Sequence, residues 1–412
     1  MRNPDIFIAS DNILSPLGST TAENFSQLVK GVSGIRQHDD VAMSLQPFYA
    51  ALFPPAAEPG SPVGPAGANT QSDLYTKFER LLITSISSAL KDSGIDPTDK
   101  KTVLIISSTK GNISMLETAV AAAGSPGPVP DARPGRDSDT RPEGAFTPAF
   151  RDRIALHTSA RLVAEYFGFQ SPPLVASNAC ISGIMAILTG FRLLRSGQYE
   201  NAVIAGADVI SHFVLSGFQS FQAISSRPCK PFDRSRDGIT LGEGAATMIL
   251  SGNPRYAGSI KIMGGSTSND ANHLSAPSRT GEELAYSINQ ALAQAGLTAV
   301  DIDFISAHGT ATLYNDEMEA KAINLANLPS VPVNSLKGYY GHTLGAAGLI
   351  ESIIAAQSLA AGLIIPTTGF EQLGVSQPLN ICHTLVAATL NNCLKTASGF
   401  GGCNAALVLS KP

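Results

Sequence analysis

A cysteine, two histidines, a lysine and a glycine turn are the residues of this chain whose types and settings suit chemistry on a carbonyl. The stretch VASNACISGIMAI, residues 175–187, runs an extended apolar segment into Cys180 and then into a helical pattern whose apolar face is Ile181, Ile184, Leu188 and Phe191. A thiol there lies beside first-turn amides and the positive end of a helix dipole, which favour thiolate and lower a thiol pKa from its ordinary ~8.5. The same residue equally suits packing as a small hydrophobe, because cysteine is among the most buried residue types. AHGTATLYND puts His308 at the end of a predicted strand, where an imidazole either projects into a cleft or hydrogen-bonds within the core. NSLKGYYGHTLGAAG supplies Lys337 and, five residues later, His342 at the start of an Ala/Gly-rich helix. The dipole there disfavours imidazolium and leaves a neutral donor for developing negative charge, whereas Lys337 alone reads as a solvated surface charge. SGFGGCNAALVLS places Gly399, Phe400, Gly401 and Gly402 in a turn whose N–H groups would suit an oxyanion, although most such turns carry no chemistry.

The elements that must position these groups are legible as an alternation. Short β-rich runs (DIFIAS, VLIISS, PLVAS, AVIAGAD, IKIMGG, DFISAHG, VPVNS, AALVLS) alternate with longer helical patterns, the signature of an α/β fold with largely buried strands. Residues 72–93 carry Leu74, Phe78, Leu81, Leu82, Ile86 and Leu90 on one helical face, closed by Gly94. PLVASNACISGIMAI is echoed by VPVNSLKGYYGHTLGAAGLIESIIA, and VLIISSTKG by DFISAHGTA, so two related halves are expected, residues 1–250 and 251–412. Two Pro/Gly-rich segments, 54–67 and 119–150, read as surface loops.

Composition bounds the function class. At 412 residues the chain buries a core without covalent staples, and a net charge of −5 offers no general attraction to nucleic acid or an anionic membrane. The amino terminus lacks a signal core and no run approaches ~18 uninterrupted apolar residues, so no membrane insertion and a cytoplasmic location are expected. Five widely spaced cysteines without a C-x-x-C pair argue against a disulfide framework or structural zinc; reduced thiols and no metal are expected.

Taken together the motifs resemble the β-ketoacyl synthases, the condensing enzymes of fatty acid and polyketide synthesis, in the elongating branch that uses a Cys-His-His set. The resemblance spans LSPLGSTTAENFSQLVKGVSGI, the cysteine segment, KPFDRSRDGITLGEGAA, AHGTATLYNDEMEA, KGYYGHTLGAAG and GFGGCNAAL, in order and in register across almost the whole chain. It implies a thiolase-like, five-layered α/β/α/β/α fold with two mixed sheets and a buried central helix starting near Cys180. It implies further that Cys180 takes the acyl chain from the phosphopantetheine arm of an acyl carrier protein, and that His308 and His342 promote decarboxylation of the malonyl extender. Lys337 would tune the histidines, the N–H groups of Cys180 and Phe400 would form the oxyanion hole, and Phe400 would gate the acyl pocket. Asp316, Glu351, Gly399 and Gly401 match supporting positions. The family pairs through its first half, so a homodimer, or a heterodimer with a related subunit, is implied. No cofactor is implied beyond the phosphopantetheine that carries the substrates.

Several residues depart from that pattern. Ile181 is bulkier than the residue usual after the nucleophile and would narrow the acyl channel, and Lys110 aligns loosely with a position that lines the acyl pocket across a dimer. Cys403 stands where Thr or His is usual and reads as a packed thiol. Arg192, Arg195, Lys230, Arg234 and Arg236 are candidates for docking an acidic carrier protein, or else a scattered solvated surface. A thiolase would need a second cysteine where Ser398 stands, and a cysteine hydrolase would leave Lys337 and one histidine without a role. A non-catalytic partner subunit that only binds acyl chains would generally lack the nucleophile.

Overall fold

The computed structural model describes residues 4–54, 74–122, 147–272, 274 and 276–412. In the first half, Ile6–Leu14 (β1), Thr102–Ser107 (β4), Leu174–Ala176 (β5), Asn201–Asp208 (β6) and Gly244–Ser251 (β8) form the order β5-β4-β6-β8-β1. In the second, Lys261–Asn269 (β9), Phe304–Ser306 (β10), Pro332–Asn334 (β11), Asn392–Gly399 (β15) and Cys403–Ser410 (β16) repeat it as β11-β10-β15-β16-β9, with Asn380–Ile381 (β13) added at the edge. The directions repeat as well: β6-β4-β5 and β15-β10-β11 are parallel, while β1-β8-β6 and β9-β16-β15 are antiparallel. Short pairs complete the set, Arg36–His38 (β2), Phe48–Ala51 (β3) and Leu241–Gly242 (β7) in one small sheet, and Leu363–Ile364 (β12) with Val386–Ala387 (β14) in another.

Two sheets were expected; the structure joins them into one of 11 strands. The join is two pairs, Ile6↔Ile262 and Phe7↔Lys261, after which β1 and β9 part. The halves face each other across two buried helices, Ser182–Arg195 and Ala347–Ala361, each of which contacts strands of both. Helix Lys77–Ser93 covers the outer face of the first half and Glu282–Ala295 that of the second, which gives the five layers. Three apolar clusters fill the spaces: a central one around Ile184, Ile187, Leu349 and Ile353, and one under each outer layer.

The two central helices approach closely because small residues meet at their crossing. A Cβ on Gly183 would lie 2.5 Å from the Leu349 nitrogen, and one on Gly348 would lie 2.9 Å from the Ile184 side chain. This crossing sits at the start of both helices, just after Cys180 in one and shortly after His342 in the other.

Some expectations change on inspection. Helix Lys77–Ser93 begins later than the apolar stripe implied, because Thr76 and Glu79 form a capping box there. Leu74 is therefore outside the helix and exposed, and residues 72 and 73 lie outside the described residues. Of the segment 119–150, residues 119–122 finish helix Ile113–Ala122 and Thr147 caps helix Pro148–Ile154, while 123–146 lie outside the described residues, as do 55–67. Counted with its leading turn, Leu344–Ala361 is long enough and on average apolar enough to cross a membrane although Glu351, Ser352, Gln357 and Ser358 interrupt it, and 83% of it is buried within the fold as the central layer. Strands β8 and β15 were not singled out by pattern, being rich in Gly, Ala and Thr and, in β15, carrying Lys395.

Candidate active site

Cys180 is delivered by a tight turn between β5 and the central helix. Ala179 has φ +43°, in the left-handed region that disfavours a side chain, and Ser182 secures the bend: its Oγ accepts from Asn178 N–H at 2.7 Å and donates to the Ala179 carbonyl at 2.6 Å. The turn lifts the thiol to the floor of a cavity of about 290 Å³ lined also by His308, His342, Thr310, Phe218 and Phe400. One ligand atom each of Cys180, His308 and His342 lies within 4.8 Å of the others.

His342 Nε2 is 3.0 Å from Cys180 Sγ. Its Nδ1 accepts the Leu344 N–H at 3.2 Å, which assigns the proton to Nε2 and makes that nitrogen the donor to sulfur. An Nε2 bearing a proton has no lone pair for a metal, so the triad is matched to hydrogen-bond donation although its residue types would suit a soft cation. The His308 and His342 rings meet edge to face, centroids 5.2 Å apart at 83°. Both imidazoles are held well below the ordinary 6.5, first by burial and then by Lys337, so they are neutral.

The thiol does not follow the dipole expectation. Burial dominates and pushes Cys180 up to about 12, with Cys403 raising it further, while Lys337 and the hydrogen bond from Phe400 N–H oppose. In this setting the resting group is a thiol. The Phe400 N–H reaches the sulfur because the glycine turn lies against the nucleophile: a Cβ on Gly399 would stand 2.9 Å from the Cys180 nitrogen. Gly401, at φ +85°, supplies the left-handed step that closes the turn. The Phe400 ring is 40% exposed and packs on Phe218 and Phe221, each 5.7 Å away, at the mouth of the cavity.

Lys337 is buried, donating to the His308 carbonyl at 3.1 Å and pairing with Glu351 on the second central helix. Asp316, raised by burial to about 7, accepts from the N–H groups of Phe232 at 2.7 Å and Ala311 at 3.2 Å and so fixes the loop after His308. Three residues that sequence reasoning missed complete the frame. Glu319, one helical turn beyond Asp316, accepts the His308 and Gly309 N–H groups at 2.8 and 2.7 Å. Asp208 holds Ser108 Oγ at 2.7 Å and Gly345 N–H at 2.6 Å, tying the loop after β4 to the turn after His342; burial raises it to about 6. Lys395 lies fully buried in β15. The signals were present, as an acidic residue on the same helical face as Asp316 and a lysine inside an otherwise buried strand.

Other sequence candidates lie elsewhere. Ile181 is buried in the central apolar cluster, and Lys110 is exposed, its N–H donating to Asp208; neither is among the described residues that line this cavity. Arg236 is no docking residue: it is buried, donating to the Asp233 and Gly374 carbonyls and lying 3.7 Å from Asp316. Lys230 pairs with Glu371 at 2.8 Å, and Arg192 and Arg195 sit in the last turn of the central helix, about 20 Å along its axis from Cys180. Arg234 remains exposed. Cys403 is a packed thiol, its Sγ 3.4 Å from the Phe400 carbonyl.

Comparison with known proteins gives a consistent answer. Residues 3–254 match the β-ketoacyl synthase N-terminal domain and residues 260–371 the β-ketoacyl synthase C-terminal domain. The chain is 30% identical over 373 residues to the tetracenomycin polyketide synthase ketoacyl synthase alpha subunit of Streptomyces glaucescens, covering 85% of each. It is 28% identical to 3-oxoacyl-[acyl-carrier-protein] synthase 2 of Vibrio cholerae over the full length of both. Among solved structures it resembles the ishigamide ketosynthase/chain length factor, with TM-score 0.86, 25% identity and complete coverage of both chains. It also resembles the ketosynthase ApeO in complex with its chain length factor ApeC from Xenorhabdus doucetiae, with TM-score 0.83, 25% identity and coverage of 99% and 98%. With two family domains matched in order along a fold of the same architecture, the chain belongs to the β-ketoacyl synthase family.

Proposed function

We propose that this condensing enzyme works by carrying an acyl chain on Cys180 and coupling it to a malonyl extender at the two histidines. The observation that carries the reading is the convergence of Cys180 Sγ, two neutral imidazoles and the Phe400 N–H around one cavity floor. In the first half-reaction the Sγ–carbonyl bond forms and the pantetheine S–C bond of the incoming thioester breaks. The thiol proton leaves with the departing pantetheine sulfur. In the second, loss of CO₂ from the malonyl thioester leaves its electron pair as an enolate, whose oxygen His308 and His342 receive as neutral donors. The enolate carbon then attacks the Cys180 thioester. The tetrahedral oxyanion lies at the N–H groups of Cys180 and Phe400 and collapses with departure of sulfur, which regains a proton from solvent. Each oxyanion donor of this kind is worth ~2.7–4 kcal/mol in a transition state. The steps balance without a metal or redox cofactor.

The substrates are proposed to arrive on an acyl carrier protein, as the name of the Vibrio relative states for its own reaction. Pairing with a second subunit is proposed too. In the single chain β5 is an edge strand that exposes Leu174 and Val175, 39% and 38% accessible, an apolar edge that calls for a partner. The likeness to two ketosynthases whose descriptions name a chain length factor supports a heterodimer as the alternative to a homodimer. A cytoplasmic location fits carrier-borne substrates.

The test separates the two half-reactions. C180A is expected to release CO₂ from malonyl-carrier protein while forming no condensation product, and adding H342A to it is expected to cut that release by at least about 10²-fold. Condensation by C180A at the wild-type rate would overturn the reading.

A further inference from the structure

Lys395 takes no part in the chemistry above, yet its ammonium is among the most completely enclosed groups of the fold. Its Nζ lies 2.7 Å from Glu351 Oε2, 2.8 Å from the Thr396 carbonyl, 3.1 Å from the Ser306 carbonyl and 3.2 Å from the Ala307 carbonyl. Four oxygens at these distances require a charged, three-proton donor, since a neutral amine would turn its lone pair toward one of them. Ser306 and Ala307 are the two residues before His308, and the next carbonyl, that of His308, is held by Lys337. The two lysines thus clasp three successive carbonyls. Glu351 joins the lysines, one through each carboxylate oxygen. On the other side of the same strand end, Glu319 accepts the His308 and Gly309 N–H groups and the Thr396 hydroxyl at 2.6 Å.

We propose that Lys395 is a positioning residue for the condensation: its caged ammonium fixes the strand end that presents His308 and balances the Glu319 and Glu351 carboxylates beside the two imidazoles. Counted together, Lys337 and Lys395 offset Glu319 and Glu351, leaving the buried quartet neutral. Removing only the Lys395 charge leaves an excess negative charge next to His308 and His342, which favours imidazolium and so removes the neutral donors. The other groups facing the rings do not compensate: Cys180 is a thiol, Asp208 is bound to the Ser108 hydroxyl and backbone N–H groups, and Asp316 is set against Arg236. The direction agrees with the field of Lys395 itself, which depresses both histidines.

The inference rests on the histidine roles proposed above, and its test has one readout that does not depend on turnover. In K395M, whose side chain keeps the length without the charge, ¹⁵N-histidine NMR titration of the full chain is expected to show His308 and His342 protonating at higher pH than in wild type. The acid limb of malonyl-carrier protein decarboxylation should move up by about half a pH unit or more, so that the loss relative to wild type grows as pH falls toward that limb and is small near neutrality. In K395A, which vacates the oxygen cage, ammonium chloride is expected to restore activity and thermal stability, whereas tetramethylammonium chloride at equal ionic strength does not. Folded K395M with wild-type titrations and pH profile would overturn the proposal, and so would K395A that ammonium rescues in neither respect. A wild type without decarboxylase activity would instead overturn the histidine roles, with the NMR titration still reporting on Lys395.

Discussion

At the scale of single residues, the reactive thiol is a case of two opposed electrostatic effects. The start of a helix and the Phe400 N–H favour sulfur anion, but withdrawal from water favours the thiol, and burial is the larger. The consequence is measurable. With the thiol held up at about 12, alkylation of Cys180 by iodoacetamide in the unloaded enzyme is expected to accelerate about tenfold per pH unit through the neutral and mildly alkaline range, without a plateau. A plateau near neutrality would show that the dipole prevails and that a thiolate is the resting state. The histidines carry the complementary logic. Their depressed pKa values keep them unprotonated as pH falls to the ordinary 6.5 and below, so the enolate donors survive mild acid.

At the scale of elements, the site depends on two helices whose first turns nearly touch. Gly183 and Gly348 permit this, and the crossing sets how far Cys180 stands from His342. G183A is expected to lower stability by about 1–3 kcal/mol and to slow acyl transfer to Cys180, read from a denaturant melt and from single-turnover acylation; unchanged values for both would show that the crossing has slack. Eight of the 11 strands of the large sheet, the cysteine helix and the glycine turn were legible in the sequence because periodicity and turn chemistry are local properties. The convergence of Cys180, His308 and His342 was legible only through the resemblance of ordered motifs, since no local rule brings together residues 162 positions apart. Lys395 and Glu319 escaped for the opposite reason. A charge inside a strand or helix reads as solvated until the structure shows what lies opposite it.

At the scale of the molecule, a repeated five-strand unit faces itself across the central helices, and the site forms where the two copies meet: Cys180 comes from the first, both histidines, Lys337 and the glycine turn from the second. The proposed pairing with a second chain belongs to this scale, through the exposed apolar edge of β5. V175D, which alters a residue already 38% accessible, is expected to convert the assembly to single chains in analytical ultracentrifugation with little change in the melting temperature, whereas an unaltered assembly would remove β5 from the interface. If the sulfur of Cys180 holds the growing chain, peptide-mapping mass spectrometry after incubation with an acyl-carrier protein thioester will find the chain there. The expected result is one acyl adduct, on Cys180, lost in C180A and discharged on adding malonyl-carrier protein; an adduct on Cys229, Cys382, Cys393 or Cys403 instead, or condensation product formed with no adduct at Cys180, would contradict it.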